Sequence, residues 1–334
     1  MAVKVAITGF GRIGRCVARL IADMDDVELV CVNDTTDKEM TKYLLKYDSV
    51  HGTFNKNVEL LGDDYIQIAD MKVKFLNDRD PKKLNFSDYG AEILLECTGA
   101  FYTQEKSQPY IDNGIKKVIF SAPAKDKKTA TFVMGVNEKK YNGENIISNA
   151  SCTTNALAPI VKVLDDALGV EHGLLTTVHS YTNDQNILDV KHSKDPRRAR
   201  AAAVNLIPTS TGAAKAVGLV LPHLNGKLNG QAIRVPTPNV SMIDLVATVK
   251  KDTTKEEVNQ LFADAQKSMP NIILVDNDKR VSSDFVGCAV SSIVASDLTQ
   301  VIGGNFVKVM AWYDNEWGYS ARLIDLAKHI AKKI

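Results

Sequence analysis

The stretch that most restricts the fold is Gly9-Phe10-Gly11-Arg12-Ile13-Gly14. It follows directly on Val3-Lys4-Val5-Ala6-Ile7, an apolar run that reads as a strand. Arg15 to Met24 then carry Val17, Leu20 and Ile21 at helical spacing, and Val27 to Val32 form a second strand ending at Asn33-Asp34. A G-x-G-x-x-G alone says little, because glycine turns are common. Between a strand and a helix, with an acid 20 residues past Gly14, it specifies the turn of a dinucleotide-binding βαβ unit. Gly9 makes the turn, Gly11 admits a pyrophosphate to the backbone, and Gly14 lets the helix pack closely on the sheet. The helix start then holds the pyrophosphate, and Asp34 accepts hydrogen bonds from the adenosine ribose hydroxyls. The bland alternative is a purely structural turn followed by a solvated aspartate.

Strands recur at Val73–Leu76, Ile93–Cys97, Lys117–Phe120 and Thr131–Met134, separated by helical or loop segments. That alternation predicts a doubly wound parallel sheet, an α/β Rossmann architecture. Its carboxyl edge, where a dinucleotide lies, is lined by Thr98-Gly99 and Ser121-Ala122-Pro123. Arg79 is in reach of the adenine end, with a plain surface arginine as the alternative.

The chemistry centres on Asn149-Ala150-Ser151-Cys152-Thr153-Thr154-Asn155. Asn145–Ser148 reads as a buried strand, and Ala156 to Leu168 carry Leu157, Ile160, Val161, Leu164 and Leu168 at helical spacing. Cys152 thus stands at a strand-to-helix junction, where open N–H groups and the helix dipole favour a thiolate. The flanking hydroxyls and N–H groups are suited to an anion or a developing oxyanion. Most free cysteines are small buried hydrophobes; the junction and the Ser-Cys-Thr-Thr-Asn context argue otherwise here.

Past Cys152 the pattern changes. Gly173–His179 is a strand, and Ser241–Val249 and Phe306–Tyr313 are longer and alternating. With few helices between them, this half predicts an α+β domain with a mainly antiparallel sheet. Thr182 to Pro208 is polar and arginine-rich, a loop long enough to be functional or to make subunit contacts. A nucleophilic cysteine needs a base near in space. Of six histidines, His179 at the end of a buried strand is the best placed, although spacing alone leaves its rivals open. Thr182, Arg197, Thr209-Ser210-Thr211-Gly212 and Arg234 are available to an anionic substrate.

At 334 residues, two domains are the expectation. The net charge of +1 argues against a dedicated nucleic-acid surface. Five scattered cysteines without a C-x-x-C pair speak against a disulfide framework or a metal site and for a reducing, cytoplasmic setting. No apolar run has membrane-spanning length, and no signal-peptide pattern precedes Val3.

These residues resemble phosphorylating glyceraldehyde-3-phosphate dehydrogenases from end to end. The resemblance rests on Gly9–Arg15, Ala150–Asn155, His179-Ser180-Tyr181-Thr182, Ser210–Lys215 and Trp312–Ser320, in that order. It implies NAD as cofactor, with glyceraldehyde 3-phosphate and inorganic phosphate as substrates in glycolysis or gluconeogenesis. It implies that Cys152 adds to the aldehyde, that His179 is the base, and that Asn315 holds the nicotinamide carboxamide. Thr182, Arg197 and Arg234 match the substrate-phosphate site. Ser151, Thr211 and Gly212, helped by Arg234 and flanked by Thr153, match the attacking-phosphate site. Arg12, Ile13, Asp34, Arg79, Ser121 and Asn315 match cofactor contacts.

The resemblance also implies a dinucleotide-binding domain over 1–150 that takes back a C-terminal helix (316–334), a catalytic domain over 151–315, and a homotetramer. In such tetramers the loop around 182–206 reaches a neighbouring subunit. Two positions depart from NAD-specific relatives, Thr35 after Asp34 and Lys191 in the long loop. Their equivalents in NADP-using members contact the 2′-phosphate, so NADP is a second expected cofactor. The alternative enzyme is a non-phosphorylating erythrose-4-phosphate dehydrogenase, and the alternative class is a nicotinamide-sensing or nucleic-acid-binding protein that kept the fold.

Overall fold

The computed structural model describes residues 2–193 and 195–334. The chain divides into two compact units, one running through Ser151 and taking back Ser320–Ile334, the other covering Cys152–Tyr319.

The first unit begins with β1 (Val3–Thr8), α1 (Arg12–Ile21), β2 (Val27–Asn33) and α2 (Lys38–Lys46). Then come β3 (Val58–Leu61), β4 (Tyr65–Ile68), β5 (Met71–Leu76), β6 (Ile93–Glu96) and α3 (Gln104–Asp112). β7 (Lys117–Phe120), β8 (Ala130–Thr131) and β9 (Ile146–Ser148) complete it. They form one sheet in the order β3-β4-β5-β2-β1-β6-β7-β9-β8. The pairs from β5 through β8 are parallel, and β3 and β4 add an antiparallel edge. The central strands are buried on both faces, which is why they read as unbroken apolar runs rather than alternating ones. β1, β2 and β6 end in register, with Thr8 beside Asn33 on one side and Glu96 on the other. Their carboxyl ends therefore form one polar edge.

The second unit starts with α4 (Cys152–Leu168) and β10 (Val170–Ser180), followed by β11 (Ile207–Ser210) and α5 (Ala213–Val220). Next are β12 (Leu228–Val235), β13 (Ser241–Val249), α6 (Lys255–Ser268) and β14 (Ile273–Asp276). β15 (Ser292–Ala295), β16 (Gln300–Ile302) and β17 (Phe306–Tyr313) lead to α7 (Trp317–Ala331). The sheet order is β11-β12-β10-β13-β17-β15-β14, with β16 also on β17. It is mainly antiparallel, as expected, but β10/β12 and β14/β15 pair in parallel. The C-terminal helix is amphipathic for a reason. Leu323, Ile324, Leu326, Ala327 and Ile330 are buried in the same cluster as Val5, Ile7 and Val17 of the first unit. Each of the larger side chains contributes about 1.5–3 kcal/mol by leaving water.

Some local expectations differ. The strand expected over Thr131–Met134 stops at Thr131, because the Asn137 side chain accepts the Val133 N–H (2.8 Å) and turns the chain. The β3–β4 hairpin was not foreseen. α4 begins at Cys152, four residues before its apolar spacing does, since Thr153, Thr154 and Asn155 are polar yet buried.

Candidate functional site

In the first unit, a cavity of about 470 Å³ opens at the sheet's polar edge, lined among others by Gly9, Gly11, Asp34, Thr35, Arg79 and Thr98. The three glycines divide the work as their positions demand. Gly9 has φ +85°, and a Cβ there would lie 2.6 Å from the Cys97–Thr98 backbone. A Cβ on Gly14 would lie 2.5 Å from the Gly9 carbonyl oxygen. Gly11 has nothing within 4 Å of its missing Cβ, so the space above it is open to a ligand. Gly11 is also the N-cap of α1 and supplies no side-chain cap to the helix start. A dinucleotide pyrophosphate fits these features.

Asp34 is oriented by two backbone donors, Phe10 N–H (2.6 Å) and Thr36 N–H (2.8 Å). Arg12 pairs with Asp48 at the start of α1. Ile13 and Ser121 are half-buried, while Thr35 and Arg79 are exposed on the cavity wall. Asn33 was not foreseen. Its amide accepts from Asp78 N–H (3.0 Å) and donates to the Asp78 carbonyl (3.1 Å), pinning the loop that carries Arg79.

In the second unit, Cys152 is the first residue of α4, and its Sγ lies 3.6 Å from His179 Nε2. His179 is the penultimate residue of β10 and is opposite Arg234 of β12 in the parallel register. That pairing places the guanidinium beside the imidazole, with Arg234 Nη1 2.5 Å from Nδ1 and 2.9 Å from the Ser180 carbonyl oxygen. Nδ1 is itself 2.7 Å from that carbonyl, which only accepts. Nδ1 therefore carries its proton there, Arg234 donates to the same oxygen, and Nε2 is left with its lone pair towards the sulfur.

Burial pushes the Cys152 thiol up. Arg234, the Thr153 hydroxyl, and the N–H groups of Thr153 and Cys152 pull it down. The helix-start donors expected from the sequence are thus in place, but alone they do not outweigh burial. Burial, then Arg234, lowers His179 to about 3, so the ring is neutral and a proton acceptor. One proton transfer from sulfur to Nε2 would convert both groups together and set opposite charges in contact, so the pair acts as a unit.

Ser180 ties the neighbouring groups together. Its N–H donates to Ser241 Oγ (3.1 Å), its hydroxyl donates to Asn315 Oδ1 (2.8 Å), and Ser241 Oγ also donates to Asn315 Oδ1 (2.8 Å). With Oδ1 taken by two buried hydroxyls, the amide nitrogen is the end that Asn315 offers to a ligand. Behind the pair, Tyr313 Oη lies 2.9 Å from both Thr153 Oγ1 and Thr177 Oγ1, and its ring meets His179 edge-on. Ser180, Ser241 and Tyr313 escaped the sequence reading as supports, although Tyr313 stands in the Trp312–Ser320 motif. Ala150 precedes the junction in the left-handed region at φ +57°, the kind of backbone strain that clusters at functional sites.

Other expected residues are more dispersed. Ser151 is the last residue of the first unit's main stretch. Thr211 and Gly212 open α5, with Thr211 Oγ1 accepting the Ala213 N–H (3.2 Å). Thr182 is half-buried, and Lys191 and Arg197 are exposed on the long connection, which contains two short 3₁₀ turns. None of these three takes part in the Cys152–His179–Arg234 contact. Lys194, on the same connection, lies outside the described residues. Arg198 bonds Asp184 (2.5 Å) and Thr209 (2.8 Å), fastening the connection to β11.

The chain matches two family models, the NAD binding domain of glyceraldehyde 3-phosphate dehydrogenase over residues 3–104 and the C-terminal domain over residues 151–315. The chain belongs to the glyceraldehyde 3-phosphate dehydrogenase family. It is 52% identical over 336 residues to glyceraldehyde-3-phosphate dehydrogenase 1 of Bacillus subtilis, covering 100% of this chain and 99% of the relative. To glyceraldehyde-3-phosphate dehydrogenase 1 of Bacillus cereus it is 51% identical over 333 residues, 99% of each chain. The chloroplastic glyceraldehyde-3-phosphate dehydrogenase A of Zea mays is 51% identical over 330 residues, 97% of this chain and 81% of the relative. As a member of that family the chain is an NAD-dependent oxidoreductase. Among the described residues no helix is long and apolar enough to cross a membrane.

Proposed function

We propose that this protein oxidises glyceraldehyde 3-phosphate with NAD and inorganic phosphate to 1,3-bisphosphoglycerate, the first unit binding the dinucleotide and the second carrying the chemistry. The observation behind this is the 3.6 Å contact between Cys152 Sγ at a helix start and an imidazole whose other nitrogen is held by a carbonyl. Cys152 gives its proton to His179 Nε2 and adds through sulfur to the aldehyde carbon, and His179 returns that proton to the carbonyl oxygen, completing the hemithioacetal and freeing Nε2 again. NAD supplies the acceptor for the hydride. His179 takes the hydroxyl proton as the C–H bond breaks, which leaves a thioester on Cys152. A phosphate oxygen then attacks the thioester carbon, the C–S bond breaks, and the acyl phosphate departs. The N–H groups of Cys152 and Thr153 stabilise the oxyanion in both halves. Ser151, Thr153, Thr211, Gly212 and Arg234 serve the attacking phosphate, Thr182, Arg197 and Arg234 the substrate's own phosphate, and Asn315 the carboxamide.

The test is a single turnover without phosphate. One equivalent of NADH per chain, with an acyl adduct on Cys152 by mass spectrometry, supports the scheme. NADH formation undiminished in Cys152→Ser would refute it.

NADP is the second cofactor of this reading, supported by Thr35 and Arg79 on the same cavity wall as Asp34. A homotetramer accords with the exposed apolar side chains Leu174, Ile187, Leu188, Val204, Leu206 and Ile302. None of the five cysteines is in a disulfide, which suits the cytoplasm. A sedimentation mass of a monomer at micromolar concentration would remove the tetramer.

A further inference from the structure

Under the dinucleotide cavity lies a fully buried acid that the reaction does not use. Glu96 closes β6 and is 0% exposed. Its Oε1 accepts from Thr98 N–H (2.7 Å) and from the Thr98 hydroxyl (2.5 Å), and its Oε2 accepts from Tyr110 Oη (3.2 Å). Tyr110, also 0% exposed, reaches Glu96 from α3. Thr8, which stands beside Glu96 in the sheet register, accepts at Oγ1 from Asn33 Nδ2 (3.1 Å).

Three donors thus converge on one carboxyl group, the Thr98 N–H and hydroxyl on Oε1 and the Tyr110 hydroxyl on Oε2. Such a set needs an acceptor at both ends of the side chain, which an ionised carboxylate supplies and an amide does not. Burial pushes Glu96 up to about 7, opposed by Thr98, Tyr110 and Lys125, so the fold holds an acid where burial disfavours its charge.

The position being fixed is the floor of the cavity. Thr8, Asn33, Asp78, Thr98 and Tyr110 all line it. The Gly9 turn rests on the Cys97–Thr98 backbone so closely that a Cβ would collide at 2.6 Å. Lys125 Nζ holds the Gly99 carbonyl from the other side (2.7 Å). Moving Thr98 would therefore move both the 98–100 turn and the glycine turn that faces the pyrophosphate.

We propose that Glu96 is a positioning residue for the dinucleotide: as the shared acceptor of Tyr110 and Thr98, it fixes Thr98 and, through Thr98, the Gly9 turn. The inference rests on the reading of this cavity as the dinucleotide site.

Glu96→Gln keeps the shape but must point an N–H₂ at either Tyr110 or Thr98, setting donor against donor. The full chain is titrated with NAD by fluorescence, and steady-state constants are measured beside it. For Glu96→Gln the expected result is a five- to tenfold higher Kd and KM for NAD. Its kcat at saturating NAD stays within twofold, and its KM for the aldehyde phosphate is unchanged. Tyr110→Phe raises the Kd two- to threefold. The double variant is no worse than Glu96→Gln alone, because both changes disturb the same Tyr110–Glu96 contact.

A Glu96→Gln Kd within twofold of wild type, a parallel fall in kcat, or multiplying effects in the double variant would each overturn the proposal. If Glu96→Gln does not fold, Tyr110→Phe decides alone, an unchanged Kd being the contrary result. Failure of the wild-type protein to bind NAD would overturn the cavity's assignment together with the proposal. Wild-type binding with unaffected variants would overturn only the role of Glu96.

Discussion

Arg234 is the charge that most directly sets the reactive pair, and replacing it gives a prediction with a definite sign. Its guanidinium is the strongest influence lowering the Cys152 thiol and, after burial, the next strongest lowering His179. In Arg234→Leu the thiolate loses a nearby cation and the imidazolium loses a nearby repulsion, so both pKa values rise. A cation within a few ångströms of a buried group is worth about one to three pH units. Taking about one unit, the thiolate fraction below the midpoint falls about tenfold. A more basic thiolate is a better nucleophile, with a Brønsted slope of about 0.4–0.5, which returns about threefold. The net expectation is alkylation of Cys152 by iodoacetamide slowed about three- to fourfold at neutral pH, faster than wild type well above the midpoint, so that the two pH profiles cross. Arg234→Lys keeps the charge and shifts the profile less. The assay is the rate of Cys152 modification from pH 5 to 10, with His179 followed by NMR. A profile that stays in place or moves to lower pH would refute the argument.

Other consequences are checked more simply. Gly11→Ala adds a methyl group to open space, so its melting temperature stays within about 2 °C of wild type while KM for NAD rises at least tenfold. Gly9→Ala meets backbone at 2.6 Å and a φ of +85°, and loses about 2 kcal/mol or more of stability as well as NAD binding; equal melting temperatures for the two variants would contradict this division of roles. Asn315→Asp places an acceptor where the amide donor stood, and should raise KM for NAD at least tenfold with no change in the rate of Cys152 alkylation. Lys191→Ala should weaken NADP selectively, and an equal loss for NAD and NADP would end the 2′-phosphate reading of Lys191 and Thr35.

The parts of the molecule legible in the sequence are those whose cause is local. Gly9, Gly11 and Gly14 announce the β1–α1 turn because each answers a steric demand that glycine alone meets. Cys152 was visible as a junction because β9 and the apolar spacing of α4 flank it. His179 stood out among six histidines only as the best placed, at the end of a buried strand; what the β10–β12 register adds is Arg234 beside it, a pairing between residues 55 positions apart. Supports that depend on such long-range registers stayed hidden. Ser241 and Tyr313 are opposite each other on β13 and β17, and each serves a group on another element. Glu96 read as one more residue of an apolar strand, since nothing in Ile93–Cys97 reveals that Tyr110 and Thr98 both point donors at it. The strand expected over Thr131–Met134 fell short for a local reason that an apolar run does not show, the Asn137 side chain capturing the Val133 N–H.

Transfer of the acyl group from a Cys152 thioester to inorganic phosphate shows in the initial rates of NAD and NADP reduction with glyceraldehyde 3-phosphate, each measured with and without phosphate. The expected result is turnover that depends on phosphate, with NAD and also with NADP. Phosphate-dependent reduction of NAD alone would remove the 2′-phosphate site and leave the chemistry standing. Sustained turnover without phosphate, releasing a free acid, would exclude the transfer to phosphate and favour a hydrolytic dehydrogenase acting on a related aldehyde phosphate.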